Sequence, residues 1–242
     1  MTLKKTMTLK KILAAGALGL AIAAGNAYAA FIFVTPTGST AGGQPVDAQA
    51  SFTFGANTLT IVLTNFEANP TSVIQALSDL QFVLGTSATS SSLTSSSGLE
   101  RNIAGDGTFT DNGTVDTGWA LSGSLTSFKL DVLGTLIGPA HLLIGPPGPG
   151  NVYSNANGSI AGNGPHNPFL EGSATFNLAL QGVTANTTIA SVIFSFGTEE
   201  GAVGSTVPGV PIPSEIPEPG SLALLGFAAL LMAFAIRRRR VR

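Results

Sequence analysis

The strongest constraint on the fold is an alternation of apolar and polar residues that recurs through the middle of the chain. It is clearest over Gly172–Gln181, and Thr58–Phe66 and Thr188–Phe196 repeat it. In the last segment the pattern places Ser191 and Ser195 on the solvent side. Successive side chains of a strand point to opposite faces, so this pattern predicts strands with one buried and one solvated face. Such strands are typical of antiparallel sheets.

The composition of the middle of the chain agrees with a β fold. It is rich in Gly, Ser, Thr and Asn and poor in Lys and Glu, which favours short strands joined by turns over long helices. Leu80–Leu84 and Trp119–Leu133 add shorter candidate strands. We therefore predict an all-β body over residues 30–200, built as an antiparallel β-sandwich or jelly roll.

Three stretches of the body depart from the strand pattern. After Pro70, a capped turn or two of helix is predicted, with Thr71 or Ser72 as the cap and Val73, Ile74, Leu77 and Leu80 on one face. Gly85–Gly98 is almost entirely Ser, Thr, Gly and Ala, a composition that predicts a mobile segment. Gly138–Pro168 is rich in Pro and Gly and predicts a long irregular loop with one strand, His141–Ile144.

The C-terminal end of the sequence predicts a segment directed to the membrane. Gly201–Ile216 is a proline-rich stretch that predicts an extended spacer, followed by Pro217, Glu218 and Pro219. No charge occurs between Pro219 and Ile236, which is near the lower limit of length for a transmembrane helix. The cluster Arg237, Arg238, Arg239 and Arg240 then predicts a cytoplasmic end, with the body on the other side of the membrane.

In this order, the Pro-Glu-Pro triplet, the short apolar helix and the arginine cluster resemble a PEP-CTERM sorting signal over residues 217–242. That signal belongs to Gram-negative bacteria that make exopolysaccharide. The resemblance implies a partner, the exosortase, a membrane-embedded cysteine protease that cuts near the triplet and releases the upstream part.

The N-terminal end predicts the same topology. Four lysines precede the apolar run Ile12–Ala24, and Ala27-Tyr28-Ala29 supplies the small-x-small cleavage pattern of a secretory signal peptide over residues 1–29. The mature chain then starts at Ala30 after the secretion translocon and a signal peptidase have acted. We expect a single-pass inner-membrane precursor and a mature form at the cell surface or outside the cell.

Removing both signals changes the charge. Residues 30–216 hold two basic residues, Arg101 and Lys129, against 12 acidic ones, a formal charge of −10. Nucleic acids and anionic membrane surfaces bind clustered Lys and Arg, so this body is not expected to bind them. The chain has no cysteine, which excludes thiol catalysis and cysteine-ligated metal sites.

Few residues suggest chemistry. Asp106, Asp111 and Asp116 recur every five residues on a Gly-rich stretch, which suits calcium, although turns capped by the Asp side chains explain the pattern better. His141 and His166 are the only histidines, and no motif accompanies them that would make a hydrolase or metal site. Trp119 is predicted in the core, with an exposed sugar-binding face as the alternative.

These observations predict a non-enzymatic exported protein of the cell surface or extracellular matrix, with no cofactor and with exopolysaccharide as a possible contact. The alternative is a carbohydrate- or calcium-binding extracellular module.

Overall fold

The alternating segments form hydrogen-bonded strands in the computed structural model, which describes residues 30–135, 140–199 and 204–213. Among these described residues, strand content is 54% and helix content 5%, so the all-β class is confirmed. The strands are β1 (Ala30–Val34), β2 (Thr40–Ala41), β3 (Gln44–Pro45), β4 (Ala48–Gly55), β5 (Thr58–Asn65), β6 (Leu77–Leu84), β7 (Ser90–Ile103), β8 (Phe109–Val115), β9 (Ala120–Gly123), β10 (Ser127–Asp131), β11 (Leu143–Ile144), β12 (Phe169–Gln181), β13 (Ile189–Phe196), β14 (Thr206–Pro208) and β15 (Val210–Ile212). The short helix α1 spans Ala156–Ser159, and 3-10 turns span Val73–Gln75 and Leu133–Thr135.

One large sheet contains every strand except the small β2–β3 hairpin. It has two arms. The first arm holds β14, β13, β6, β10 and β9, and the second arm holds β15, β1, β4, β5, β12, β7 and β8. Strand β11 joins them, pairing antiparallel with β6 and parallel with β12. The sheet is therefore mixed, which corrects the prediction of purely antiparallel pairing; the jelly-roll connectivity stays a prediction.

The two arms pack face to face. Phe52 of β4 and Phe82 of β6 belong to different arms, yet their ring centroids are 5.5 Å apart. Trp119, just before β9, contacts Phe176 of β12 at 5.3 Å. Because these strands are not hydrogen-bonded neighbours, the sheet must fold over to bring the rings together. Each fully buried Phe or Leu in this interior contributes about 1.5–3 kcal/mol to stability by leaving water.

The alternation predicts the buried face of the main strands correctly. Phe176, Leu178 and Leu180 of β12 are buried, as are Leu59 and Ile61 of β5. Along β12, the residues between the apolar ones are half-buried or exposed. These segments contribute one face to the core and one to solvent.

Ser195 of β13 departs from this pattern. It was predicted to face solvent but is 3% exposed and donates a hydrogen bond to Asp79 at 2.6 Å. Period-two alternation tells which side of a strand a residue takes, not whether that side is covered. The prediction for Ser195 is therefore wrong.

Most of the segment predicted to be mobile, Gly85–Gly98, instead belongs to strand β7, which begins at Ser90. It pairs with β12 on one side and β8 on the other, so its backbone groups are satisfied along most of its length. Ser96 is buried and accepts hydrogen bonds from the backbone and hydroxyl of Thr117. Pairing with two neighbours orders a segment whose own side chains provide little burial.

Two further segments are more ordered than predicted. The described part of the Pro/Gly-rich loop contains β11 and α1, and Tyr153 within it is 1% exposed. The capped turn after Pro70 is confirmed: Ser72 accepts a hydrogen bond from the Ile74 N–H, and Gln75 completes a capping box. It ends at Gln75, however, because Leu77 and Leu80 continue into β6 rather than sharing a helical face.

The predicted spacer also differs from expectation. Within its described residues, 204–213, it forms β14 and β15, which pair with the two arms rather than extending as a free linker. No helix of the described ranges is long and apolar enough to cross a bilayer. The helix predicted over 219–236 lies outside those ranges.

Candidate functional site

The residues Thr206–Ile212, which we call the closing segment, join the two arms of the sheet immediately before the C-terminal signal. In the first arm, Phe194 pairs with Val207; in the second, Val34 pairs with Val210. The two short strands are separated only by Gly209, whose N–H donates to the Val192 carbonyl at 2.8 Å. One short stretch of backbone thus covers the edges of β13 and β1.

Close packing explains the glycine between the two strands. A Cβ at position 209 would lie 3.0 Å from the Phe194 ring, 3.3 Å from Val192 and 3.4 Å from Phe33. Those neighbours come from both arms, so they leave little space for a side chain. Pro208 and Pro211 have no N–H to donate, which makes the covering strands poor templates for pairing with another chain.

The closing segment brings the two ends of the body together. Ile32 pairs with Ile212, and because β1 and β15 are antiparallel, the start of β1 and the end of β15 lie at the same end of the ladder. Ala30, the predicted first residue of the mature chain, pairs with Thr53. The other predicted processing residues, Ala27 and Ala29, lie outside the described residues, as do Pro217, Glu218, Pro219, Arg237, Arg238, Arg239 and Arg240.

The three aspartates of the candidate calcium loop are not brought together. Asp106 accepts hydrogen bonds from the Thr108 N–H and hydroxyl, and Asp116 accepts one from the Gly118 N–H. The Thr108 hydroxyl lowers the pKa of Asp106 below its usual value. Among the described residues no group of three potential ligands has metal-binding geometry. The turn-capping interpretation is confirmed for Asp106 and Asp116.

Asp111 belongs to a different cluster, which we call the Arg101 cluster. Arg101 is 6% exposed; its Nε and Nη2 donate to the two carboxylate oxygens of Asp111 at 2.7 and 2.9 Å. Its Nη1 donates to the Tyr153 hydroxyl at 3.1 Å and lies 3.5 Å from Glu171. The guanidinium also lies 3.8 Å above the Phe109 ring centroid.

This cluster connects strands β7, β8 and β12 to the loop that contains Tyr153. The hydrogen bonds from Arg101 hold the pKa of Asp111 below its usual range, and burial raises the pKa of the Tyr153 hydroxyl. Sequence reasoning missed it because its members are far apart in the chain. The available signal was that Arg101 is one of two basic residues in an acidic body.

The other basic residue, Lys129, is also internal. Its ammonium lies 3.1 Å from Asp131 and 3.7 Å from Asp79. Burial raises the pKa of Asp79, although the hydrogen bond from Ser195 and the charge of Lys129 act in the opposite direction. Both basic residues of the body are paired with acidic residues inside it. Exposed acidic residues such as Asp106 and Asp116 therefore make the surface of the body negatively charged.

The two histidines lie close to the same backbone stretch. His141 Nε2 is 3.3 Å from Glu100, close enough for an ion pair when protonated, but both ring nitrogens of His141 lack hydrogen-bond geometry to any partner. His166 Nδ1 lies 3.2 Å from the Ala140 carbonyl. Within the described ranges, neither imidazole makes a hydrogen bond to a serine hydroxyl.

Trp119 is a core residue. It is 4% exposed, contacts Phe176 and donates its indole N–H to the His141 carbonyl at 2.9 Å. The prediction of a core tryptophan is confirmed. Trp119 therefore offers no surface for stacking a sugar.

The outward side of the second arm carries uncharged polar side chains around the exposed Val62, and we call it the neutral face. Asn177 is at its centre: its Oδ1 accepts from the Thr60 hydroxyl at 2.9 Å and its Nδ2 donates to Ser95 at 3.1 Å. Register places further hydroxyl and amide side chains around it, on four adjacent strands. These are Gln49, Ser51, Thr53, Thr64, Ser97, Ser173 and Thr175.

The segment that follows the closing segment is the part of the chain that comparison recognises. Residues 215–240 match the family model of the PEP-CTERM protein-sorting motif. The chain carries a PEP-CTERM sorting motif. This confirms the resemblance drawn from the triplet, the apolar run and the arginines. The motif implies processing by an exosortase and indicates a membrane-anchored precursor that is exported.

No curated protein and no solved structure matched the chain. The matched PEP-CTERM motif covers residues 215–240 and does not extend into the strands of the body.

Proposed function

We propose that this chain is a non-enzymatic exported protein that works at the cell surface or in the extracellular matrix after an exosortase has removed its C-terminal signal. The observation that carries the proposal is the sorting motif at residues 215–240, which follows directly on the strand that closes the sheet. The cut would leave the closing segment attached, so the released body keeps both arms of its sheet covered.

The chemistry of release follows from the implied cysteine protease. Its thiolate displaces the amine of the C-terminal fragment, forming a thioester to the body, and water then yields a carboxylate and the free thiol. The fragment carries away Arg237, Arg238, Arg239 and Arg240. The remaining acidic body suits solubility in an extracellular matrix and has little attraction for nucleic acid or anionic membranes.

Mass spectrometry of the secreted and membrane fractions of an exosortase-producing host tests this proposal. We expect a secreted chain that starts at Ala30, ends near Pro217 and lacks Arg242. A variant with Pro217, Glu218 and Pro219 replaced by Ala should stay in the membrane fraction at full length. Finding only the uncut chain in the wild type would contradict the proposal.

A second candidate function, carbohydrate binding, is favoured by the neutral face. Polar side chains there are arranged in rows across four strands without a charge, in a body of strongly negative formal charge. A shallow depression of about 240 Å³, lined by residues including Thr60, Thr94 and Asn177, lies within it. Hydroxyl and amide groups at regular spacing suit an uncharged polyhydroxyl chain such as a neutral polysaccharide.

Retention of the secreted protein on cellulose tests the second candidate. The substitution Asn177→Asp removes an amide donor and adds a charge to the face, and it should abolish retention. Asn186→Asp adds the same charge at an exposed loop position outside the face and should leave retention unchanged. If wild type and both variants are eluted from cellulose equally by washing, cellulose binding by this face is excluded.

A further inference from the structure

The body contains a single lysine, and that lysine is largely buried. Between residues 30 and 216 the only Lys is Lys129, whose side chain is 18% exposed. Lysines of soluble proteins usually lie at the surface, where the ammonium stays hydrated. Lys129 instead lies between two carboxylates of the first arm, those of Asp79 and Asp131. Its position is therefore not explained by solubility.

Strand register brings the two acids together. Asp131 of β10 lies directly opposite Asp79 of β6, although like charges in that position destabilise a sheet. Asp79 is 1% exposed and Asp131 is 8% exposed. Burial raises the pKa of Asp79, which favours its neutral, protonated form beside the second carboxyl group. An amine, a buried carboxylic acid and a second carboxyl group thus meet on one face of the first arm.

The distances between these groups suit a reaction between Lys129 and Asp79. Lys129 Nζ lies 3.1 Å from Asp131 Oδ2 and 3.7 Å from Asp79 Oδ2. Ser195 donates a hydrogen bond to the other oxygen of Asp79, Oδ1, at 2.6 Å, which polarises that carbonyl and leaves Oδ2 as the hydroxyl. Groups held in reactive positions reach effective concentrations of roughly 10⁵–10⁸ M, which favours a condensation that free amines and acids do not undergo in water.

We propose that Lys129 and Asp79 become joined by an amide bond between their side chains, with Asp131 as the proton acceptor. The ammonium of Lys129 gives one proton to Asp131, and its nitrogen attacks Cγ of protonated Asp79. The N–Cγ bond forms, the bond from Cγ to Oδ2 breaks, and a second proton of the nitrogen leaves with Oδ2 as water. Asp131 then releases its proton to solvent, so water and one proton are the only products besides the amide.

The bond would cross-link β6 to β10 in a chain that has no cysteine for a disulfide. A cross-link of this kind restricts the unfolded chain and so stabilises the folded body. It also removes the ionisable carboxyl of Asp79 and the ammonium of Lys129. Any dependence of stability on the charge of Asp79 therefore belongs to chains in which the bond has not formed.

Trypsin digestion and mass spectrometry detect this bond directly. Trypsin cuts after Arg and Lys, and residues 30–216 contain one of each, Arg101 and Lys129. In a denatured, unlinked chain it releases the fragment 102–129 and separates it from the fragment that holds Asp79. In a linked chain Lys129 is not cut, and the fragments on either side of Arg101 stay joined, with a mass lower by one water molecule than their sum. We expect the purified wild-type protein to give the joined species.

Two variants and a control test the role of each group, by the linked fraction measured at successive times after synthesis. Lys129→Arg has a guanidinium in place of the amine and should never be linked. Asp131→Asn removes the proton acceptor and should slow bond formation by roughly 10²–10⁴-fold. Asp106→Asn, which changes an exposed acid in a turn, should be linked as fast as wild type.

Two results would overturn the proposed bond or its mechanism. One is a wild-type protein that has the full mass of its sequence and releases the fragment 102–129. The other is an Asp131→Asn variant that is linked as fast as wild type, which would remove Asp131 from the reaction.

Discussion

Ile32 in the first strand lies directly opposite Ile212 in the last, so the two ends of the exported body are hydrogen-bonded neighbours. They are separated by about 180 residues of sequence, which makes this pairing among the most non-local in the fold. The sheet is therefore complete only when the closing segment has docked. This places the end of the fold immediately before the signal that directs the chain to the protease.

Removing the closing segment should destabilise the body and make it associate. A chain of residues 30–213 should unfold cooperatively in urea as a monomer. A chain of residues 30–203 loses β14, β15 and the burial of Val207, whose side chain alone is worth about 1.5–3 kcal/mol. Its uncovered strand edges should also pair between molecules. Urea unfolding and size-exclusion chromatography measure both effects; two chains with equal midpoints would contradict the prediction.

Gly209 should be intolerant of larger side chains. The substitution Gly209→Val puts atoms against Phe194 and Phe33 from opposite arms, and overpacking of this kind costs about 1–3 kcal/mol. Gly162→Val is the matched control, since Gly162 is exposed, a Cβ there meets nothing within 4 Å and the backbone is not left-handed. Thermal unfolding should show a lower midpoint for Gly209→Val alone.

The parts of the fold that sequence predicts are those fixed by local pattern. Alternation identifies the buried faces of β5 and β12, and the Ser72 cap follows from side-chain chemistry a few residues away. Strand β7 was missed because order comes from its two neighbours rather than from its own serines. Likewise, prolines in the closing segment suggested a free spacer, although the same residues suit an edge strand.

Of the candidate functional features, only the C-terminal sorting motif could be predicted from the sequence. The sorting motif is contiguous in sequence, so the residues that define it can be read directly. The Arg101 cluster is not contiguous: Arg101, Asp111, Tyr153 and Glu171 meet only after three strands and a loop have assembled. The turn-capping prediction fails at Asp111, where the carboxylate instead accepts hydrogen bonds from Arg101.

Calcium should contribute nothing to the stability of the body. Asp106 and Asp116 cap their own turns, and Asp111 is paired with Arg101, so each carboxylate already has partners within the protein. Thermal unfolding of the secreted protein should give the same midpoint in excess calcium and in excess EDTA. A midpoint that rises with calcium and returns to its starting value in the Asp106→Asn variant would contradict this prediction.

Arg101 should stabilise the fold through geometry as well as charge. The substitution Arg101→Lys keeps the charge but loses the two-pronged contact with Asp111 and the hydrogen bond to Tyr153. Removing contacts of a buried, charge-paired group costs about 3–5 kcal/mol at most, and partial exposure of Asp111 should reduce that figure. Urea unfolding at pH 7 measures the loss.

The same pair predicts a change with acid. The pKa of Asp111 is lowered in the folded state, so its contribution is present above the ordinary value of about 3.9 and is lost as pH falls through the folded value. The Arg101→Lys variant should therefore lose less stability than wild type on acidification. Equal losses of stability in the two proteins would show that the lowered pKa of Asp111 does not depend on the two-pronged contact with Arg101.

Asp79 should give the opposite dependence on pH. Burial raises its pKa in the folded state, so its contribution to stability is complete below the ordinary value of about 3.9 and declines as pH rises through the folded value. Asn at position 79 cannot ionise but still accepts the Ser195 hydrogen bond. The free energy of unfolding of Asp79→Asn, measured relative to wild type, should therefore increase as pH is raised from 3 to 7.

Asp106→Asn is the control, because the pKa of Asp106 is lowered and its removal should give a relative stability that falls over the same interval. A flat difference for Asp79→Asn would mean that Lys129 and Ser195 together offset the cost of burying the carboxylate.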